Sequence, residues 1–310
     1  MNKFLKKIKN LFVSVKTFIS DRKWLLAKVS AYLIFMIVFY FFFLWLLFPY
    51  NELVTKLSDE IKTKTGMNVS VRKAEGAFPM GLDLSDVIIT KANGSNETLL
   101  LEARTIKIVP GIFSLLKRWF SAKIYARLYN GRAFINIGTN KKDFFANLVI
   151  KNIYIDKWNL IRKEYGLNIE GILDANLDIK GNLTNVNKDK GNAVIKISHM
   201  ILHPSKILGI LTLPNVDFGD VNIPVYIKDG KVLFQNATQN SKVLNSRIDG
   251  DIMLLNPVAN SILNIKLKFN PSPDLEQQLK KSIPIFNLTR DASGYYIIPI
   301  TGSLSMPRFE

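Results

Sequence analysis

The sequence predicts a mainly β protein: a single N-terminal transmembrane helix followed by an elongated antiparallel β-sheet with few short helices. Three observations carry the prediction. An uncharged apolar run, VSAYLIFMIVFYFFFLWLLF, occupies residues 29–48. From Met67 onward apolar and polar residues alternate with a period of two, the mark of strands with one apolar and one wet face. Turn dipeptides such as Asn130-Gly131, Asp229-Gly230 and Asp249-Gly250 separate the alternating segments, which fits hairpins and meanders.

The apolar run is long enough to cross a bilayer. Twenty residues at about 1.5 Å each span about 30 Å. A cleaved signal peptide is a poorer reading, because the run is long and ends in Phe-Pro-Tyr-Asn without a small-residue pair. Residues 1–28 carry +7 of the chain's net +17, whereas the first charged residues after the span sum to zero. The positive-inside rule then places the N-terminus in the cytoplasm and the long C-terminal part outside it. In the basic head, Phe4, Ile8, Leu11 and Val15 recur at helical steps between lysines. Lys3, Lys6, Lys7, Lys9 and Lys16 are therefore candidates for the surface of an anionic leaflet. An irregular topogenic tail and a docking helix for a cytoplasmic partner are the alternatives.

Four segments follow from this pattern: the basic head (1–28), the transmembrane helix (29–49), a juxtamembrane helix (50–66) and a β domain (67–310). In the juxtamembrane helix Leu53, Val54, Leu57 and Ile61 form the apolar side, and Gly66 is a natural stop. The β domain reads as about a dozen strands, clearest at Leu82-Asp83-Leu84, Ala133 to Ile137, Ile172 to Ile179 and Asn264 to Phe269. Short helices are predicted at Ile112 to Phe120, Ser205 to Leu211 and Asp274 to Lys281. The lysines of the strands alternate with apolar residues, so they read as a solvated face and not a nucleic-acid patch. Lys266 and Lys268, for example, oppose Ile265, Leu267 and Phe269.

Catalytic chemistry is sparse. The chain has no cysteine and two histidines, which excludes disulfides, thiolate zinc sites and cysteine nucleophiles. His199 and His203 have an i, i+4 spacing, but the glutamate of a zincin helix is Met200 and Pro204 follows. Asp174 and Asp178 lie on a strand-like segment beside lysines and read as solvated face residues. No P-loop, no GxSxG and no helix-opening GxGxxG is present. The expectation is a protein that is not an enzyme and needs no cofactor or metal.

Four stretches together resemble the type II secretion system protein N (GspN) family, which is related to AsmA-like envelope proteins. They are GMNVSVRKAEGAFPMGLDLSDVIIT (residues 66–90), LPNVDFGDVNIPVYIKDGKVLF (213–234), GDIMLLNPVANSILNIKLKFNP (250–271) and ITGSLSMP (300–307). The resemblance implies a bacterial inner-membrane anchor, a periplasmic bulk and an accessory role in type II secretion beside other secretion or envelope subunits. It also implies the curved, groove-forming sheet of AsmA-like proteins, some of which are linked to lipid traffic. A phospholipid held on the apolar face is the alternative function, with Leu82, Leu84, Ile265, Leu267 and Phe269 as candidate groove residues. Whether Phe144, Phe145 and Trp158 meet a second layer separates the two readings.

Overall fold

The computed structural model describes residues 23–78, 80–93, 96–115, 117–207, 211–282 and 290–309. The candidate leaflet lysines Lys3, Lys6, Lys7, Lys9 and Lys16 lie outside the described residues. The chain forms two compact units, Met1–Pro49 with Phe78–Met80, and Tyr50–Ala77 with Gly81–Glu310.

In the first unit, helix α1 runs Lys23–Leu47. Its segment Ala27–Leu47 has a mean hydropathy of 2.3, and none of it is buried. It is long and apolar enough to span a membrane. A helix with apolar residues on every side has no wet face, which suits a membrane span or burial in protein.

The second unit opens with α2 (Tyr50–Thr65). Gly66 ends it with φ +71 and donates its N–H to Lys62 O at 2.9 Å, a left-handed stop that glycine adopts without strain. Fourteen strands then build one antiparallel sheet. They are β1 (Met67–Ala77), β2 (Gly81–Asn93), β3 (Asn96–Pro110), β4 (Phe120–Leu128), β5 (Gly131–Thr139), β6 (Asp143–Tyr154), β7 (Ile169–Asn182) and β8 (Lys190–Leu202), then β11 (Val216–Lys228), β12 (Lys231–Asn240), β13 (Leu244–Met253), β14 (Ile262–Pro271), β15 (Tyr296–Ser303) and β16 (Met306–Phe309). Each strand pairs with the next in this order, a meander in which β8 bonds to β11. Between those two, β9 (Ser205–Ile207) and β10 (Leu211–Leu213) form a separate hairpin. At about 4.8 Å per strand the sheet measures roughly 60 Å along its hydrogen bonds.

Among the described residues three short α-helices also occur in this unit, beside single 3-10 turns: α3 (Ile112–Leu115), α4 (Asn159–Tyr165) and α5 (Pro273–Ser282). The predicted helix at Ile112 is shorter than expected, and the one at Asp274 spans α5. Ser205–Ile207, expected to be helical, is a strand, because it finds a partner in Leu211–Leu213. The sequence reading missed α4, which ends at Gly166 in the left-handed conformation (φ +67).

The alternation is interrupted in places that the sequence marks with polar pairs. In β1–β3 the apolar phase slips at Arg72-Lys73, Ser85-Asp86 and Arg104-Thr105, which are neighbours across the strands. Asp86 takes φ +48 there. The slip lets Leu82, Leu84, Val87 and Ile89 join one cluster. Elsewhere Asn152 (φ +56) and His199 (φ +52) sit at irregularities that free a backbone N–H from the ladder. Asp174 accepts the first at 2.9 Å and Asp220 the second at 3.0 Å.

Two clusters form the core, one on β1–β3 and the other spanning β8 to β15. Ala74, Leu84, Val87 and Ala103 pack beneath α2, with Tyr50 and Val54 against them. Leu202, Val216, Leu244, Phe269 and Tyr296 pack with Leu275 of α5. A carboxylate ties α5 to β15. Glu276 accepts from Lys280 Nζ at 2.7 Å and from Tyr296 Oη at 2.6 Å, and it pairs with Arg290. The Arg290 guanidinium lies 4.7 Å from the centre of the Tyr296 ring. The hydrogen bond from Lys280, then that from Tyr296, with the charges of Arg290 and Lys280 behind them, hold the Glu276 carboxyl at about 2.

This geometry sets a pH dependence. A depressed carboxyl stabilises the fold above its unfolded pKa of about 4.3 and loses that contribution as pH falls toward 2. Glu276→Gln is expected to flatten the curve of melting temperature against pH between about 4.5 and 2. Circular dichroism melts of the full chain in detergent measure this, and an unchanged slope in the variant would refute the clamp.

Candidate functional site

Cross-strand partners in an antiparallel sheet share a face. The register can therefore be followed, partner to partner, across the sheet. From Leu82 it passes through Ile108, Ile124, Ile135, Leu148 and Leu177 to Ala193. It continues through Val225, Phe234 and Gly250 to Ile265 and Ile300. No residue on this rung is polar. A parallel rung runs Leu84, Ile106, Ala126, Ala133, Ile150, Ala175 and Ile195. The alternation read in single strands thus adds up to one apolar face.

The covering of that face is uneven. Leu84 (8% exposed) and Phe269 (9%) belong to the two end clusters. Between them, Ile124, Ile135, Leu148, Ile150, Leu177 and Ile179 stay half-buried, and Ile137 is exposed. Among the described residues no second sheet faces them, and the remaining sheet is the small β9–β10 hairpin. Near the ends of β4, β5 and β6 the face opens into a cleft of about 430 Å³, bounded by Phe120, Ala122, Ile137, Phe144, Ala146 and Leu183. Phe120 is 59% and Leu183 51% exposed. Contiguous apolar surface of this kind on a folded domain marks an interaction site.

The five candidate groove residues all lie on this face, since Leu267 and Phe269 alternate with Ile265 along β14. Leu84 and Phe269 are in its covered ends. The open centre, from Ile124 to Ile179, was absent from the candidates. Its alternation was visible, but nothing local distinguishes a covered isoleucine from an uncovered one.

The aromatic residues meant to reveal a second layer have other partners. Phe144 and Phe145 are consecutive on β6 and so project to opposite faces. Phe144 borders the apolar cleft. Phe145 lies over Gly138, where a β-carbon would come within 2.5 Å of its ring, and its ring meets Trp119 at a tilt, with centroids 5.5 Å apart. Trp158 donates Nε1–H to Leu100 O at 3.0 Å and stacks on Tyr129.

The polar groups examined for catalysis are engaged otherwise. His203 Nε2 lies 3.0 Å from Glu170 Oε2. Asp174 serves the Asn152 amide, and Asp178 receives Asn147 Nδ2 at 3.5 Å. No group of three or more metal-ligating side chains occurs among the described residues.

The covering can be tested with one chemistry at two sites. Leu84→Ala removes a buried side chain and is expected to cost about 3 kcal/mol. Leu148→Ala, on the open centre, is expected to cost about 1 kcal/mol, because little cavity is left where no layer covers it. Denaturant unfolding of the full chain measures both, and equal losses would mean that the centre is covered. No family model, no characterised protein and no solved structure matches this chain, so its functional reading rests on the geometry of the apolar face.

Proposed function

We propose that this chain is a non-enzymatic, membrane-anchored protein whose β domain holds phospholipid acyl chains on its apolar face. One observation carries the reading: a rung without a polar side chain, traced strand to strand, left open between two covered ends. Each methylene moved from water onto such a surface gains up to about 0.8 kcal/mol. A lipid is the apt occupant because the chain carries its own route to one. The first strand begins within twenty residues of a helix fit to span a bilayer. By the positive-inside rule the β domain lies across the membrane from the basic head, and the resemblance to the GspN family implies that this side is the periplasm of a bacterial envelope.

A second reading, an accessory subunit of a type II secretion apparatus, is favoured by the sheet's last edge. Strand β16 pairs with β15 on one side; its first residue Met306 is 75% exposed and Leu304 in the preceding turn is 46% exposed. An edge of this kind can accept a strand from a partner subunit.

Photocrosslinking in the membrane tests both. Benzoylphenylalanine in place of Leu148 faces the apolar side, and in place of Asn147 it faces the other. A phospholipid adduct at 148 and none at 147, read by mass spectrometry, is the expected result. Absence of lipid at 148, or equal labelling at both, would sink the lipid reading. A protein adduct from the same probe in place of Arg308 would favour the secretion subunit.

A further inference from the structure

The face opposite the apolar one carries an arrangement that a merely solvated surface does not require. The register places Thr105 beside Arg127, Arg127 beside Arg132, and Arg132 beside Lys151. Three cations therefore stand in one cross-strand rung on three adjacent strands. Like charges directly opposite each other destabilise a sheet. A sheet needing solubility alone would alternate the signs, as it does nearby, where Lys107 lies 3.9 Å from Asp83. Lys151 reaches Asp174 at 4.0 Å, a loose pairing. The side chains of Arg127 and Arg132 have no hydrogen-bond or ion-pair partner among the described residues.

The rung does not lie on a flat surface. It lines a cleft of about 580 Å³, whose next rung is Lys107, Tyr125 and Phe134. The Tyr125 and Phe134 rings are 5.0 Å apart, and Tyr125 is 45% exposed. Glu75 and Asp83 stand at the far side of the cleft. The volume is that of a small-ligand site. Two adjacent guanidinium forks and an ammonium suit the oxygens of a phosphate, which arginine binds in a bidentate manner. The aromatic pair beside them offers a surface for the glycerol or ring that carries the phosphate.

We propose that Arg127, Arg132 and Lys151 form a phosphate-ester site on the wet face, distinct from the hydrocarbon face and not dependent on it. The bound anion relieves the repulsion along the rung. The phosphate comes either from a phospholipid headgroup or from a soluble phosphate ester.

Melting temperatures of the full chain separate these. In detergent at constant ionic strength, sodium pyrophosphate is expected to raise the wild-type value by about 3 °C or more. The double variant Arg127→Gln with Arg132→Gln is expected to lose most of that shift, while melting no lower than wild type without the anion. Should that variant fold poorly, Arg127→Lys with Arg132→Lys keeps the charge, loses the forks and is expected to show a reduced shift. In a second arm, nanodiscs of phosphatidylglycerol replace those of phosphatidylcholine. A wild-type gain there that the variant lacks, with little response to glycerol phosphate, assigns the headgroup. The reverse pattern assigns a soluble ester. The N-terminal lysines see the same lipid in both proteins, so the difference between proteins reports the cleft. Equal shifts in wild type and variant, or none in wild type in either arm, would overturn the site.

Discussion

The architecture depends on how one sheet disposes of an apolar face. Fourteen strands in a meander bring their alternation into register, and each contributes side chains to the same side. Burying that side needs a second layer as wide as the sheet, and α2 and α5 are the helices packed on its two core clusters. They reach 16 and 10 residues, about 24 and 15 Å of helix against some 60 Å of sheet. The ends are therefore dry cores and the centre is an open surface. Hydrophobic stabilisation is concentrated where the helices lie, and the centre is held by ladder hydrogen bonds and by neighbouring side chains on the face.

A sheet one layer thick also partitions chemistry. Consecutive residues point to opposite sides, so Leu148 and Val149 share a backbone yet face different environments. The same separation lets Ile124 and Ile135 line an apolar rung while Tyr125 and Phe134 border a cationic cleft on the reverse. An apolar face and a cationic cleft then coexist without competing for space. A packed sandwich would have had one of its two faces filled by core side chains.

The edges are treated differently. Strand β1 has α2 packed against it, with Tyr50 lying over Gly76 so closely that a β-carbon there would meet the ring at 2.4 Å. At the other end β16 is four residues long and carries Pro307 and Arg308. A short strand with a proline and a charge discourages unspecific edge pairing. Inside the sheet, Asp174 and Asp220 satisfy the amides that irregularities remove from the ladder. Asp174, a carboxylate weighed for catalysis in one dimension, is thus one of the means by which irregular strands stay hydrogen-bonded.

What the sequence by itself determined is everything that depends on local periodicity. The unbroken run from Val29 to Phe48 identifies a helix fit for a bilayer. The period of two after Met67 identifies strands, and the parity of Leu82, Leu84, Ile265, Leu267 and Phe269 marks the apolar side of their own strands. Tertiary structure alone decided which parts of that side are covered, because the covering depends on where α2 and α5 pack and not on the strand's own pattern. It also turned Ser205–Ile207 into a strand, since a partner across the hairpin outweighed a helical spacing. The Arg127–Arg132–Lys151 rung was invisible for the same reason. Its members are scattered through 25 residues of sequence and become neighbours through strand register, which is set by pairing across strands and not by any residue's own preference.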